Sequence, residues 1–289
     1  MSFQAFMMRR VAAKSDRKRD AGLTIPESVT YIRDLSYGEN ASHTLDLCYP
    51  KDAEEDLPLI ISFHGGGYVY GSTKIYQYYC ADLATRGFAV VNFNYRLAPK
   101  YRFPAPLEDL QQVIGWLCDH KDAYPLDLNN VFLVGDSAGA QLASQYAAIY
   151  SNPEYAALMG FEKPDIKLRA VGLNCGFYDM TGQLQTEGLK GIMVDYLGKN
   201  PERYGQKLDV LSYITADYPP AYLFTAGGDF LKDKCEPMAE LLAERGVPCA
   251  WKVYGDESIG HVFHVNVRLD TGKEANDDQT AFFRKYLQA

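Results

Sequence analysis

Ser137 stands in Gly135-Asp136-Ser137-Ala138-Gly139, directly behind the apolar run Val131-Phe132-Leu133-Val134 and ahead of Gln141-Leu142-Ala143-Ser144-Gln145-Tyr146-Ala147. This pattern predicts a strand, a tight corner and a helix, with the serine on the corner. A serine held there has its hydroxyl pushed above the sheet in a strained backbone conformation, and the flanking glycines leave room for the close packing the corner needs. The helix beginning at Ala138 aims unpaired N–H groups and the positive end of its dipole at the place where an oxyanion would form. The motif alone also describes ordinary loops, and the strand before it with the helix after it sets this copy apart. A nucleophilic serine needs a base, a carboxylate to orient the base, and donors for the oxyanion.

All three accessories are present in order. Leu57-Pro58-Leu59-Ile60-Ile61-Ser62-Phe63 reads as a buried strand running into His64-Gly65-Gly66-Gly67-Tyr68, a loop able to aim backbone N–H groups at a developing negative charge. The expected oxyanion hole comprises the amides of Gly66, Gly67 and Ala138, with Gly65 as a further candidate. A phosphate cradle would instead end in Lys-Ser or Lys-Thr, and Tyr68-Val69-Tyr70 offers neither. Ala221 to Asp229 reads as a strand ending in a carboxylate, and the strand Cys249 to Tyr254 leads to Gly260-His261-Val262-Phe263. His261 would take the proton from Ser137 and return it to the leaving group, while Asp229 would fix the imidazole tautomer. His264 competes with His261, and Asp233 and Asp256 compete with Asp229. Ser, then Asp, then His is the chain order that α/β-hydrolases use.

From about residue 57 onward the chain resembles the hormone-sensitive-lipase family of α/β-hydrolase esterases. The resemblance rests on His64-Gly65-Gly66-Gly67, Asn94-Tyr95-Arg96-Leu97-Ala98-Pro99, Phe103 to Asp109, Gly135 to Gly139, Asp229 to Asp233, and His261-Val262-Phe263. It departs where the family's Asp and Glu are Asn94 and Lys100, where the second glycine after the serine motif is Ala140, and where the glycine after the histidine is Val262. These changes bear on pocket shape and acyl preference and remove no catalytic group. The resemblance implies hydrolysis of small or short-acyl esters, acetyl esters included, through an acyl-enzyme. An amidase or formamidase would use the same triad, and a non-catalytic receptor on a hydrolase scaffold would be expected to lack one of its members. Arg96 is expected to pair with Glu108 or Asp109 and hold the scaffold behind the oxyanion loop.

Apolar strands alternating with helical stretches predict an α/β-hydrolase fold: a mostly parallel central sheet, helices on both faces and a small helical cap, in one domain over 1–289. Ser28 to Tyr37 and His43 to Tyr49 alternate as antiparallel strands do, and Tyr76 to Arg86 and Leu107 to His120 read as helices. The cap is expected from about 1–22 and about 176–213. The second of these stretches carries Phe177, Tyr178, Met180, Leu184, Leu189, Ile192, Met193, Tyr196 and Leu197, which with Tyr68 and Tyr70 are candidates for lining the acyl and alcohol pockets, and Tyr68, Tyr70, Tyr178, Met180 and Met193 are singled out as the substrate-binding residues. The first is rich in Arg and Lys and has Phe3, Phe6, Met7 and Val11 on one helical face, which suits a cap helix or a contact with an anionic membrane surface.

The formal charge of −8 opposes general attraction to nucleic acid. No apolar stretch is long enough to span a bilayer, so stable membrane insertion is not expected. Six cysteines without a C-x-x-C pair read as buried reduced thiols, and the cytoplasm is the default location. The chemistry needs no cofactor, and no spacing implies a metal. The expected partner is a small-molecule ester, and a homodimer is allowed.

Overall fold

The computed structural model describes residues 1–183 and 189–288, so the expected cap residue Leu184 lies outside the described residues. In chain order the elements are α1 (Phe3–Asp20), β1 (Val29–Ser36), β2 (Thr44–Pro50), β3 (Leu57–Phe63), α2 (Thr73–Ala84), β4 (Ala89–Phe93), α3 (Ala105–His120), β5 (Leu126–Asp136) and α4 (Ala138–Ser151). They continue with α5 (Pro153–Met159), β6 (Leu168–Asn174), α6 (Met180–Gln183), α7 (Lys190–Leu197), β7 (Ala221–Ala226), α8 (Cys235–Glu244), β8 (Cys249–Tyr254) and α9 (Asp270–Arg284).

The strands form one sheet in the order β1-β2-β4-β3-β5-β6-β7-β8. β1 and β2 pair antiparallel, β2 pairs antiparallel with β4, and every later pairing is parallel. Alternation along the central strands assigns their side chains to two cores. Leu59, Ile61, Phe63, Val131 and Leu133 share one core with Leu107 and Val113 of α3, Leu142 and Tyr146 of α4, and Leu242 of α8. Ile60, Phe132 and Val134 face the other, built with Tyr79, Cys80 and Leu83 of α2 and Phe282 and Phe283 of α9. A parallel sheet covered on both faces explains why β3 and β5 read as nearly unbroken apolar runs.

Behind the glycine loop, Arg96 reaches both of its expected partners. Its Nε donates to Asp109 Oδ1 at 2.6 Å, its backbone N–H to Asp109 Oδ2 at 2.6 Å, and Nη2 to Glu108 at 2.8 Å. His43 adds a contact to the same buried Asp109 at 3.2 Å. The pair is thus a brace between α3 and the segment after β4.

The first helix is fixed at both ends. Ser2 caps it by accepting from Ala5 N–H, and Ser2 N–H donates to Asp195 of α7 at 2.7 Å. At the far end the Arg268 guanidinium donates to the carbonyls of Arg19 and Ala21, each at 2.7 Å.

Candidate active site

β5 ends at Asp136 and α4 begins at Ala138, so Ser137 alone makes the corner. Its φ of +53° and ψ of −118° lie in a region that L residues avoid, at a cost of about 1–3 kcal/mol. The corner is held by the Ser137 N–H, which donates to the Asn174 carbonyl of β6 at 2.9 Å. The glycines are required by contact: a Cβ on Gly135 would strike the Gly139 carbonyl, and one on Gly139 would strike the Phe63 carbonyl at the end of β3. Backbone thus packs on backbone where strand, corner and helix meet.

Two loops bring Asp229 to His261. Gly227 N–H donates to the Tyr254 carbonyl at 3.1 Å and Gly228 N–H to the Ile259 carbonyl at 2.9 Å, which zips the segment after β7 to the segment after β8. Asp229 Oδ1 then lies 2.8 Å from His261 Nδ1 and also accepts from the Leu231 N–H at 2.8 Å, while Oδ2 accepts from Thr225 Oγ1 at 3.0 Å. Burial would raise this carboxyl, but the hydrogen bond and charge of His261, the Leu231 amide and the Cys175 thiol outweigh it and hold Asp229 below its ordinary value. An ionised Asp229 keeps the proton on Nδ1 and leaves Nε2 as the acceptor. Cys175, Asp229 and His261 have donor atoms within 4.8 Å of one another. Burial pushes the Cys175 thiol well up, so it stays protonated and acts as a weak donor to Asp229 rather than as the thiolate a metal would need.

The competing residues lie elsewhere. His264 is fully buried against Tyr79 and Phe224, with Nε2 3.4 Å from Asn174 Nδ2, and burial pushes it down to about 3. Asp233 is exposed beside α8, and exposed Asp256 accepts from Ser258 in its own turn. Neither acid reaches His261.

Tyr76 joins the glycine loop to the serine strand. The Gly65 N–H donates to Tyr76 Oη at 3.0 Å, and Tyr76 Oη donates to Asp136 Oδ2 at 2.8 Å. Gly65 therefore drops out of the expected donor set, because its amide is already engaged. Gly66 and Gly67 follow at φ +111° and +58°, and a Cβ on Gly66 would strike the Tyr70 carbonyl. Both glycines line one cavity of about 470 Å³ together with Ser137 and His261.

Asp136 is buried, and desolvation pushes its carboxyl up to about 7 against the opposing Tyr76 hydrogen bond, the His261 charge and the Gly65 amide. A folded-state value above the ordinary 3.8 means that the native chain binds this proton more tightly than the unfolded chain. Its contribution is fully present below about pH 4 and is lost as pH rises through about 7. Asp136→Asn should therefore gain in melting temperature relative to the parent as the buffer goes from about pH 5 to about pH 8. Thermal unfolding of both proteins across that range checks it, and a constant difference between them rules it out.

A profile described as the alpha/beta hydrolase fold matches residues 60–265. The chain belongs to the hormone-sensitive-lipase-like family of α/β-hydrolases. The hydrolase is 29% identical to Esterase LipI of Mycobacterium tuberculosis over 73% of this chain and 67% of that protein. It is 29% identical to an ethyl acetate hydrolase of Pseudomonas putida over 89% of this chain and 82% of that protein. For another curated relative, the alignment spans only 57% of the relative's length. Esterase B of Lactobacillus rhamnosis, crystallised with a tributyrin phosphonate, superposes with a TM-score of 0.90 at 25% identity, covering 98% of this chain and 94% of that one. These relatives place the hydrolase among the carboxylic ester hydrolases.

The cavity of the hydrolase is lined partly by expected residues and partly by others. Tyr68, Tyr70 and Met193 line it. Tyr178 and Met180 do not: both are buried behind the wall, Tyr178 donating to the Leu173 carbonyl at 3.3 Å and Met180 Sδ lying 3.6 Å from Tyr68 Oη. Phe177, Leu189 and Ile192, candidates from the same stretch, do line it, whereas Tyr196 and Leu197 do not. Sequence reasoning expected the first helix in the cap but did not name the residues that α1 presents to the cavity, Met8, Ala12, Asp16 and Arg19. Their spacing of four, four and three residues is a helical stripe and was the available signal. Asp16 accepts from Tyr70 Oη at 2.7 Å and from Arg19 at 3.0 Å, which places a hydrogen-bonded carboxylate on the α1 side of the cavity. Val262, where the family has glycine, sits at φ +58°, which explains why glycine suits that position.

Proposed function

We propose that the chain is a serine carboxylesterase acting on small or short-acyl esters, acetyl esters among them, through Ser137, His261 and Asp229. The observation that carries this reading is the Asp229–His261 hydrogen bond of 2.8 Å on the wall of the cavity that also holds Ser137 and the glycine loop. Ser137 Oγ loses its proton to His261 Nε2 and bonds to the ester carbonyl carbon. The oxygen becomes an anion held by the amides of Gly66, Gly67 and Ala138. Collapse expels the alcohol, which takes the proton from His261, and leaves Ser137 acylated. Water then gives its proton to His261, attacks the acyl carbon and releases the acid, with the proton returning to Ser137. No cofactor enters these steps.

Two features support a short acyl group. The cavity is about 470 Å³, and Phe177, Ile192, Met193 and Met8 take up its apolar side. The relatives' named substrates agree, an ethyl acetate hydrolase and an esterase crystallised with a tributyrin phosphonate. In this reading α1 and α7 form a cap over the site. Six free cysteines suit a reducing compartment, which supports a cytoplasmic location.

A fluorophosphonate probe should label the protein at Ser137, and p-nitrophenyl esters of increasing acyl length should show kcat/KM highest at acetate to butyrate. Loss of labelling at Ser137 would return the chain to a receptor, whereas a flat profile across acyl lengths would remove only the size preference. The matching anilides should be cleaved far more slowly, because a departing amine demands stronger protonation than a phenolate.

A further inference from the structure

The hydrolysis described above uses only the inner face of α1. Among the exposed residues of its outer face, Phe3 is 76%, Val11 64%, Met7 42% and Phe6 41% accessible. Spacings of three and four residues make these four a continuous apolar patch over the first turns. Lys14, Arg17 and Lys18 are exposed on the turns beyond, and exposed Arg10 lies within the span of the patch, its guanidinium over the Phe6 ring at 5.6 Å. The two acids of the helix, Asp16 and Asp20, are half-buried and tied to Arg19. The outer face therefore carries cations alone, on a chain whose formal charge is −8.

We propose that this face docks on an anionic phospholipid surface, with the apolar patch in the boundary between headgroups and acyl chains and the basic residues against the phosphates. A lipid surface supplies both complements at once, an apolar layer beneath an anionic one. Nucleic acid offers phosphates without an apolar layer. A second copy related by a two-fold axis would set these cations against their own images. No helix among the described residues is long and apolar enough to cross a membrane, so the contact is peripheral. Because the inner face of the same helix lines the Ser137 cavity, docking would bring esters dissolved in the membrane to the site. That consequence rests on the esterase reading, whereas the docking itself does not.

The test uses Ser137→Ala protein, so that binding is read without hydrolysis. Co-sedimentation with vesicles of phosphatidylcholine alone is compared with vesicles also containing phosphatidylglycerol. Binding to the anionic vesicles should be about 10-fold stronger or more at low salt and should fall steeply as salt shortens the screening length. The double variant K14E/K18E should lose the anionic preference, and F3S/V11S should bind less at every salt concentration. All four side chains are exposed, and circular dichroism confirms that the variants fold. Equal partitioning onto both vesicle types, or none onto either, overturns the proposal. So does a dimer seen by analytical ultracentrifugation without lipid and dissolved by F3S/V11S, which would give the face to a second copy.

Discussion

Replacing Ser137 by alanine should lower kcat/KM for p-nitrophenyl acetate by about 10³-fold or more while leaving the fold in place. The side chain lost is small and half-buried, and the contact that holds the corner, Ser137 N–H to the Asn174 carbonyl at 2.9 Å, belongs to the backbone. What disappears is the hydroxyl proposed to bond to the substrate carbon. The amides of the glycine loop would remain and sustain a residual rate above that of water. His261→Ala should cost a comparable factor, and the double variant should cost no more than either alone, since nucleophile and base act as one unit. Steady-state kinetics with circular dichroism on the three proteins checks this. Substantial activity in Ser137→Ala, free of contaminating hydrolase, would sink the nucleophile assignment; additive losses in the double variant would sink the pairing.

The strand, corner and helix around Ser137 were legible because three local rules agree there: an apolar run, glycines at the tight contacts, and a helical pattern beyond. β3 and β8 appear with their expected limits of Leu57–Phe63 and Cys249–Tyr254, and the antiparallel start of the sheet also appears. Boundaries that depend on tertiary pairing shifted. β5 begins at Leu126, five residues before the apolar run, because Leu126 and Asp127 pair with Leu57 and Pro58 across an irregular register. No local signal in Asp127-Leu128-Asn129-Asn130 marks them as strand.

Pocket residues were less legible than the motif residues. Tyr178 and Met180 follow a strand whose end faces the serine, yet both turn into the core, while Phe177 beside them turns to the cavity. One residue of displacement decides which side a chain presents, and outside regular structure nothing in the composition fixes that phase. The engagement of Gly65 by Tyr76 was hidden for a different reason: the partner lies eleven positions away, on α2. A cap role for α1 was legible, but which of its faces turns to the cavity was not: Met8, Ala12, Asp16 and Arg19 make one stripe and its outer residues make an equally regular one. One helix carries two faces, and sequence periodicity does not say which is covered.

Asp229→Asn should be the second large loss, about 10³–10⁴-fold in kcat at neutral pH if Asp229 orients and charges the imidazole as its counterpart does in well-studied serine hydrolases. The carboxylate holds three contacts at once, to His261, Leu231 and Thr225. An asparagine has one oxygen to share among them. If that oxygen faces Leu231 N–H and His261 Nδ1, geometry and tautomer survive but the charge opposing the imidazolium is gone. If the amide nitrogen faces Nδ1 instead, the proton is driven to Nε2 and the base has no lone pair for Ser137. Both arrangements slow the reaction, and the pH profile separates them. In the first, removing a negative charge 2.8 Å from the ring makes imidazolium harder to form, so the acid limb of kcat/KM moves to lower pH than in the parent. In the second, activity stays low across the whole range. Thr225→Val provides the scale, since it removes one hydrogen bond from the carboxylate and leaves its charge, and its loss should be far smaller. An Asp229→Asn enzyme with parental kcat and an unmoved acid limb would mean that this carboxylate, for all its proximity, has no part in the chemistry.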